Sequence, residues 1–196
     1  PSDKSEFFEF VKERLLIPEN QWNELVDTCM EDGILNRNED SVYIAERLCR
    51  IRFSGGSVDC VVSRENAGRI IAAFEHNGAP DVFTLDKIPI EAFRADRKNE
   101  EDRFVSEERL IYEWLSFCGP VTVADICSIF GLSEIQLESV LEPLLDEGTV
   151  VAGTFIENRT DREVCDSENL ERLLRLAKRD SQSSLPVKKT EDFIVF

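Results

Sequence analysis

The chain has 196 residues, 40 acidic side chains against 23 basic ones, and a formal charge of −17. That length suits one large or two small domains, each able to bury a core. No apolar run approaches a membrane span and no signal peptide is visible, so no membrane partner is expected. The acidity is uneven: residues 104–150 hold nine acids and one base, Arg109, whereas residues 151–196 hold nine acids and eight bases. Contact with phosphate therefore has to use the later segment or isolated arginines. The first residue is Pro1 rather than Met, as expected of a piece of something longer.

In chain order, "SEFFEFVKERL" reads as a helix, and "PENQWNELVDTCMEDG" as a second one with Trp22, Leu25, Val26, Cys29 and Met30 on one face. "ILN" and "SVYI" flank the turn "RNED" and read as a wing-like hairpin. "LCRIRFSGGSVDCVVSRENAGRIIAAF" reads as two strands around Gly55-Gly56, then a helix from about Glu65 to Phe74 capped by Ser63. "RADRKNEEDR" is a charged connector.

The later half is clearer. "SEERLIYEWLSFCGP" is a helix with Leu110, Ile111, Trp114, Leu115 and Cys118 at helical spacing, stopped by Gly119-Pro120. "TVADICSIFG" is a short helix capped by Thr122, and Gly131 supplies the turn. "SEIQLESVLEPLLDEG" has a capping box, Ser133 with Gln136, a kinking Pro143, and an apolar set of Ile135, Leu137, Val140, Leu141, Leu144 and Leu145. "TVVAGTFI" and "REVC" are strands around the turn "ENRTD". A last helix is capped by Asp166 or Ser167 and turns Leu170, Leu173, Leu174 and Ala177 inward; "DSQSSLPVKK" is a polar tether.

Three helices followed by a β-hairpin make a winged helix. The expected fold is mainly α with small β wings, in tandem winged-helix (helix-turn-helix) domains. Residues 1–50 form one winged helix, 51–93 a strand-strand-helix joint, and 94–104 the connector. Residues 105–180 form a second winged helix with a C-terminal helix, and 181–196 a tether and truncated element.

Catalytic signals are missing. The chain has no Gly-x4-Gly-Lys-Ser/Thr loop for nucleotide phosphates, no DExD/H-type box, and a single histidine, His76. Its six cysteines are scattered without a CxxC, so core thiols in a reducing cytoplasm are expected rather than a zinc site. No cofactor is expected.

The third helix of the later half carries Glu134, Glu138, Glu142 and Asp146, a carboxylate every four residues, and no Lys or Arg. A helix that reads a DNA groove carries Arg, Lys, Asn or Gln there, so this one reads as scaffold. The nucleic-acid candidates are cationic clusters elsewhere. Arg159 and Arg162 flank the wing tip; Arg172, Arg175, Lys178 and Arg179 lie opposite the leucines of the last helix; Arg47, Arg50 and Arg52 alternate on an expected strand. All suit phosphate better than base edges. Each has a plainer reading as a solvated or helix-end cation.

Taken in order, these segments resemble the C-terminal region of large helicase-related (Lhr) proteins, superfamily 2 DNA helicases. The strongest match is "EGTVVAGTFIENRTDREVCDSENLERLLR": a glycine-bounded wing, an Arg-Glu-Trp-Cys-Asp-like element in which Val164 stands where the family has Trp, then a basic helix. "WLSFCGPVTVADICSIFGLS" and "DCVVSRENAGR" are similar to neighbouring parts of that family, and "PENQWNELVDTCMEDGIL" more loosely so. The resemblance implies an ATP- and Mg-dependent helicase motor upstream, and a non-motor part in nucleic-acid processing or DNA repair. That part either positions DNA or RNA, binding it weakly on its own, or scaffolds other domains of the helicase. It carries over no catalytic residue. The competing expectation is a protein-interaction or oligomerisation module without direct DNA contact.

Overall fold

The structure, a computed structural model, describes residues 1–90, 105–157 and 159–183, and the side chains of all of these except 37, 38 and 181–183. The expected connector, 94–104, and the expected tether from 184 onward lie outside the described residues.

A helix, a short strand, two helices, a hairpin and a closing helix follow one another, and then the same order recurs. The first unit comprises α1 (Lys4–Glu13), β1 (Leu16–Pro18), α2 (Glu19–Glu31), α3 (Arg37–Arg47), β2 (Leu48–Arg52), β3 (Cys60–Ser63) and α4 (Arg64–Phe74). A 3-10 turn, Glu75–Asn77, and β4 (Asp81–Phe83) follow it. The second comprises α5 (Glu107–Leu115), β5 (Val121–Thr122), α6 (Val123–Phe130), α7 (Glu134–Asp146), β6 (Val150–Gly153), β7 (Glu163–Asp166) and α8 (Ser167–Ser183). The chain is thus mainly helical with two small antiparallel sheets. Their strand orders match as well, β1-β3-β2-β4 in the first and β5-β7-β6 in the second.

Local chemistry sets most boundaries. The side chains of Ser63, Ser106, Thr122 and Ser133 accept the N–H groups of Asn66, Arg109, Asp125 and Gln136 and so start α4, α5, α6 and α7. Gln136 returns the bond to Ser133, completing the capping box. Gly131 ends α6 at φ +69° and Gly148 follows α7 at φ +72°.

The closing helices hold equivalent places. Asn66 and Asn169 occupy the same position in α4 and α8. Each clasps the end of its unit's first helix, Asn66 through the carbonyl of Lys12 (2.7 Å) and Asn169 through those of Ser116 (2.6 Å) and Cys118 (3.1 Å).

Four expectations are corrected. Residues 37–47 form α3 rather than a wing-like hairpin. Asp40, Ile44 and Leu48, four apart, all turn into the core, and the Asp40 carboxylate accepts the Asn36 N–H (2.7 Å) and binds Lys4 (2.6 Å). These contacts outweigh the strand preference of "SVYI". The hairpin of the first unit is β2–β3, which lies around Gly55-Gly56, so the expected boundary at residue 50 falls inside β2. Ile135 is 81% exposed: the buried face of α7 is Leu137, Leu141 and Leu144, and Ile135 projects from the opposite side. Leu173 and Leu174 are likewise exposed rather than turned inward, and α8 continues to Ser183.

The four-stranded sheet separates two apolar layers. Val61, Ile17 and Leu48 pack with Phe7, Val11, Trp22 and Ile44, while Cys60, Val62, Cys49, Ile51 and Leu16 face the other way. The second layer is shared by both units. Phe130 stacks on Phe74 (ring centroids 5.7 Å) and meets Phe53 and Trp114 at 5.1 and 5.3 Å. Arg69 of α4 makes a two-pronged bond to Glu113 of α5 (2.8 and 3.3 Å). The β2–β3 turn lies on the end of α6, where Ser57 N–H donates to the Ser128 carbonyl (2.9 Å) and a Cβ on Gly131 would stand 2.0 Å from the Ser54 carbonyl oxygen.

Candidate nucleic-acid interface

The hairpin of the second unit is built around a carboxylate. Glu163 opens β7 and is fully buried. It accepts the N–H groups of Phe155 (2.7 Å) and Ile156 (3.0 Å), and Arg159 reaches it at 3.4 Å. Burial opposes ionisation, but the two N–H donors and the guanidinium outweigh it and hold this carboxyl below its ordinary pKa. Arg159, expected at a free wing tip, is thereby tied to the base of its own loop.

Arg162 is tied as well. Its guanidinium donates to Glu138 of α7 at 2.8 Å, both side chains remaining half exposed or more. The acidic face of α7 therefore has a partner inside the protein, the hairpin beside it. Glu134, Glu142 and Asp146 remain exposed on the same helix.

On α8, Arg172 pairs with Glu168 (3.3 Å) and Arg175 with Glu171, one turn apart and largely in solvent. Lys178 and Arg179 follow, exposed.

The third cluster is divided. Arg47 ends α3, not a strand, and lies over the Tyr43 ring (3.6 Å to the centroid). Arg50 and Arg52 do share a face of β2. Arg50 is buried, donating to the Leu85 carbonyl (2.8 Å) and Glu19 (2.9 Å). Arg52 binds the buried Asp59 (2.7 Å). Lys87 bridges Glu19 (2.9 Å) and Asp59 (3.4 Å), linking the two arginines into a five-membered chain of alternating charge. The bond to Glu19 raises the Lys87 pKa. Glu19, Lys87, Asp59 and Arg52 of this chain line a cleft of about 500 Å³ that Asp125 and Trp114 of the second unit also line.

The nine candidate cations thus fall on separate elements: the end of α3, β2, the β6–β7 hairpin and α8. Sequence reasoning missed Glu163, Glu19 and Asp59, which bind Arg159, Arg50 and Arg52, and Lys87, which bridges the last two carboxylates. Glu163 left a faint signal, since it shares a strand face with Cys165, a residue type that is usually buried. Among the described residues no group of three or more His, Cys, Asp or Glu is placed to hold a metal, and no helix is long and apolar enough to cross a membrane. All six cysteines are free thiols. No family model, curated protein or solved structure matches the chain.

Proposed function

We propose that this chain is a non-catalytic accessory module of an Lhr-type helicase, built from two winged helices, that holds other domains in place rather than gripping DNA or RNA. The repeated order of helix, strand, two helices and hairpin, with the same strand order in both sheets, supports the tandem winged-helix reading. The observation that carries the scaffold role is the pairing of the wing: Arg159 with Glu163 and Arg162 with Glu138. In a winged helix that reads DNA, the third helix and the wing present cations to the duplex. Here the third helix is acidic and spends one carboxylate on a wing arginine. Any phosphate contact through the wing has to break these pairs, and contact anywhere on the chain works against a net charge of −17. ATP and Mg belong to the motor of the longer protein.

Anisotropy of a labelled duplex and a labelled fork, titrated over a salt series, tests this. The expected affinity is no tighter than the ~10⁻⁴–10⁻⁶ M of non-specific binding, and Arg159→Ala/Arg162→Ala should bind like the parent. Tight binding that this double variant loses would overturn the scaffold role in favour of strand positioning. The helicase assignment is tested by the gene, whose reading frame should carry a P-loop and a DExH box upstream.

A further inference from the structure

The two closing helices are equivalent in sequence position but differ in what covers them. In α4 the buried residues are Asn66, Ala67, Ile70, Ala73 and Phe74. The matching positions of α8 are Asn169, Leu170, Leu173, Leu176 and Ala177, and Leu174 matches the partly buried Ile71. Apart from the clasping asparagine, every one is apolar. On α4 this stripe lies against the sheet and the second unit: Phe74 stacks on Phe130, and Arg69 on its flank binds Glu113 of α5. On α8, among the described residues, Leu170 is partly covered and Leu173, Leu174 and Leu176 are exposed by 42%, 61% and 46%. The position of Arg69 is held by Arg172, which is exposed and paired to Glu168 within its own helix.

Residues 171–180 are all exposed, so the outer turns of α8 stand away from the body. Helices of this length are marginal in water when their apolar face has no cover. The interface between the units shows what such a face accepts. There Phe130 of α6 stacks on the stripe, and the amphipathic helix α5 lies beside it in the same apolar cluster with its Glu113 carboxylate on the flanking arginine.

We infer that α8 is a docking face for an acidic amphipathic helix of the α5 kind, the leading helix of a further unit built like these two. Leu170, Leu173, Leu174 and Leu176 take its apolar side, and Arg172 takes a carboxylate placed as Glu113 is on α5. Beyond Arg172 the helix carries Arg175, Lys178 and Arg179 against Asp180, with Arg175 paired to Glu171; the balance is positive and complements a helix like α5, with Glu107, Glu108 and Glu113 against Arg109. This inference rests on the equivalence of the two units and on the charges of α8 and α5, so it stands or falls separately from the helicase assignment and from DNA binding.

The probe is a labelled synthetic peptide of residues 105–117 carrying Tyr112→Glu and Ser116→Lys, their side chains joined as a lactam to hold it helical while Glu107, Glu108 and Glu113 stay free. It is added to the whole chain, in which α4 is already covered. Saturable one-to-one binding is expected, weakened at least about tenfold by Leu173→Asp/Leu174→Asp. Arg172→Glu should also weaken it, and a peptide carrying Glu113→Arg should restore binding to that variant. Both substitutions lie on exposed positions, and an unchanged melting curve of the variant chain confirms an intact body. Absence of saturable binding, or binding indifferent to the leucine substitutions, would overturn the inference. Sedimentation of the chain alone should show a monomer. A dimer abolished by the same leucine substitutions would assign the face to a second copy instead, and would equally overturn it.

Discussion

Arg162 of the β6–β7 hairpin donates to Glu138 of α7 at 2.8 Å, joining the loop to the helix across 24 residues of sequence. Both groups keep half or more of their exposure, so water and salt screen the pair. Arg162→Ala and Glu138→Gln should each lower unfolding stability by less than about 1 kcal/mol, with a coupling of ~0.2–1 kcal/mol in a double-mutant cycle. Urea unfolding at low and high salt measures it, and the coupling should shrink at high salt. Glu134→Gln and Glu142→Gln, which relieve like-charge spacing on the same helix, should leave stability unchanged or slightly raised.

Glu163 gives the second hairpin a pH dependence of known sign. Its carboxyl sits below its ordinary pKa in the folded chain, because two N–H donors and Arg159 outweigh burial. A depressed folded pKa contributes stability that is present above the unfolded value and lost as pH falls through the folded one. Melting temperature followed from neutral pH to acid should therefore fall less steeply in Glu163→Gln than in the parent. At neutral pH the variant should melt lower, since an amide accepts the Phe155 and Ile156 N–H groups less strongly than a carboxylate. Identical acid profiles would show that Glu163 is not the group responsible.

Gly131 and Gly148 share a left-handed backbone and differ in surroundings. A Cβ at Gly148 meets nothing within 4 Å, whereas one at Gly131 falls 2.0 Å from the Ser54 carbonyl. Gly148→Ala should cost about 1–2 kcal/mol, the strain of the backbone alone. Gly131→Ala should cost clearly more, because the β2–β3 turn has to move off α6 and carries the contact between the units with it. Equal losses in denaturant titrations would argue against that lock.

The thiols should be slow to react. Burial pushes Cys49 and Cys165 up to about 11 and Cys118 up to about 12, and Cys60 is raised further still. Little thiolate is present at neutral pH, and the thiolate is the reactive form. Native chain treated with iodoacetamide near pH 8 should label these four slowly, and unfolded chain should label all six cysteines. Mass spectrometry assigns the sites. Rapid native labelling of Cys49 or Cys60 would mean that the four-stranded sheet opens readily.

What the sequence determined by itself was whatever is decided within a turn or two of chain. Ser63, Thr122 and the Ser133–Gln136 box start their helices through bonds three residues long, and Gly131 ends one by its own backbone freedom. Periodicity was equally local, so Trp22 and Trp114 were legible as core residues, and the later hairpin could be read from its strands and turn. The tertiary structure decided everything that depended on a distant partner. Residues 37–47 became a helix because Asp40, Ile44 and Leu48 meet a core supplied from elsewhere. The short strands β1 and β5 exist through their pairing with β3 and β7. The candidate cations were readable as charges but not as pairs: Arg50 finds Glu19 across 31 residues, and Arg162 finds Glu138 across 24. Coulomb attraction acts through space, whereas sequence spacing reports only neighbours along the chain. The leucine stripe of α8 shows the same limit in reverse. Its spacing forecast an apolar face correctly, but whether a face is buried depends on a second surface, and no pattern within the helix records that.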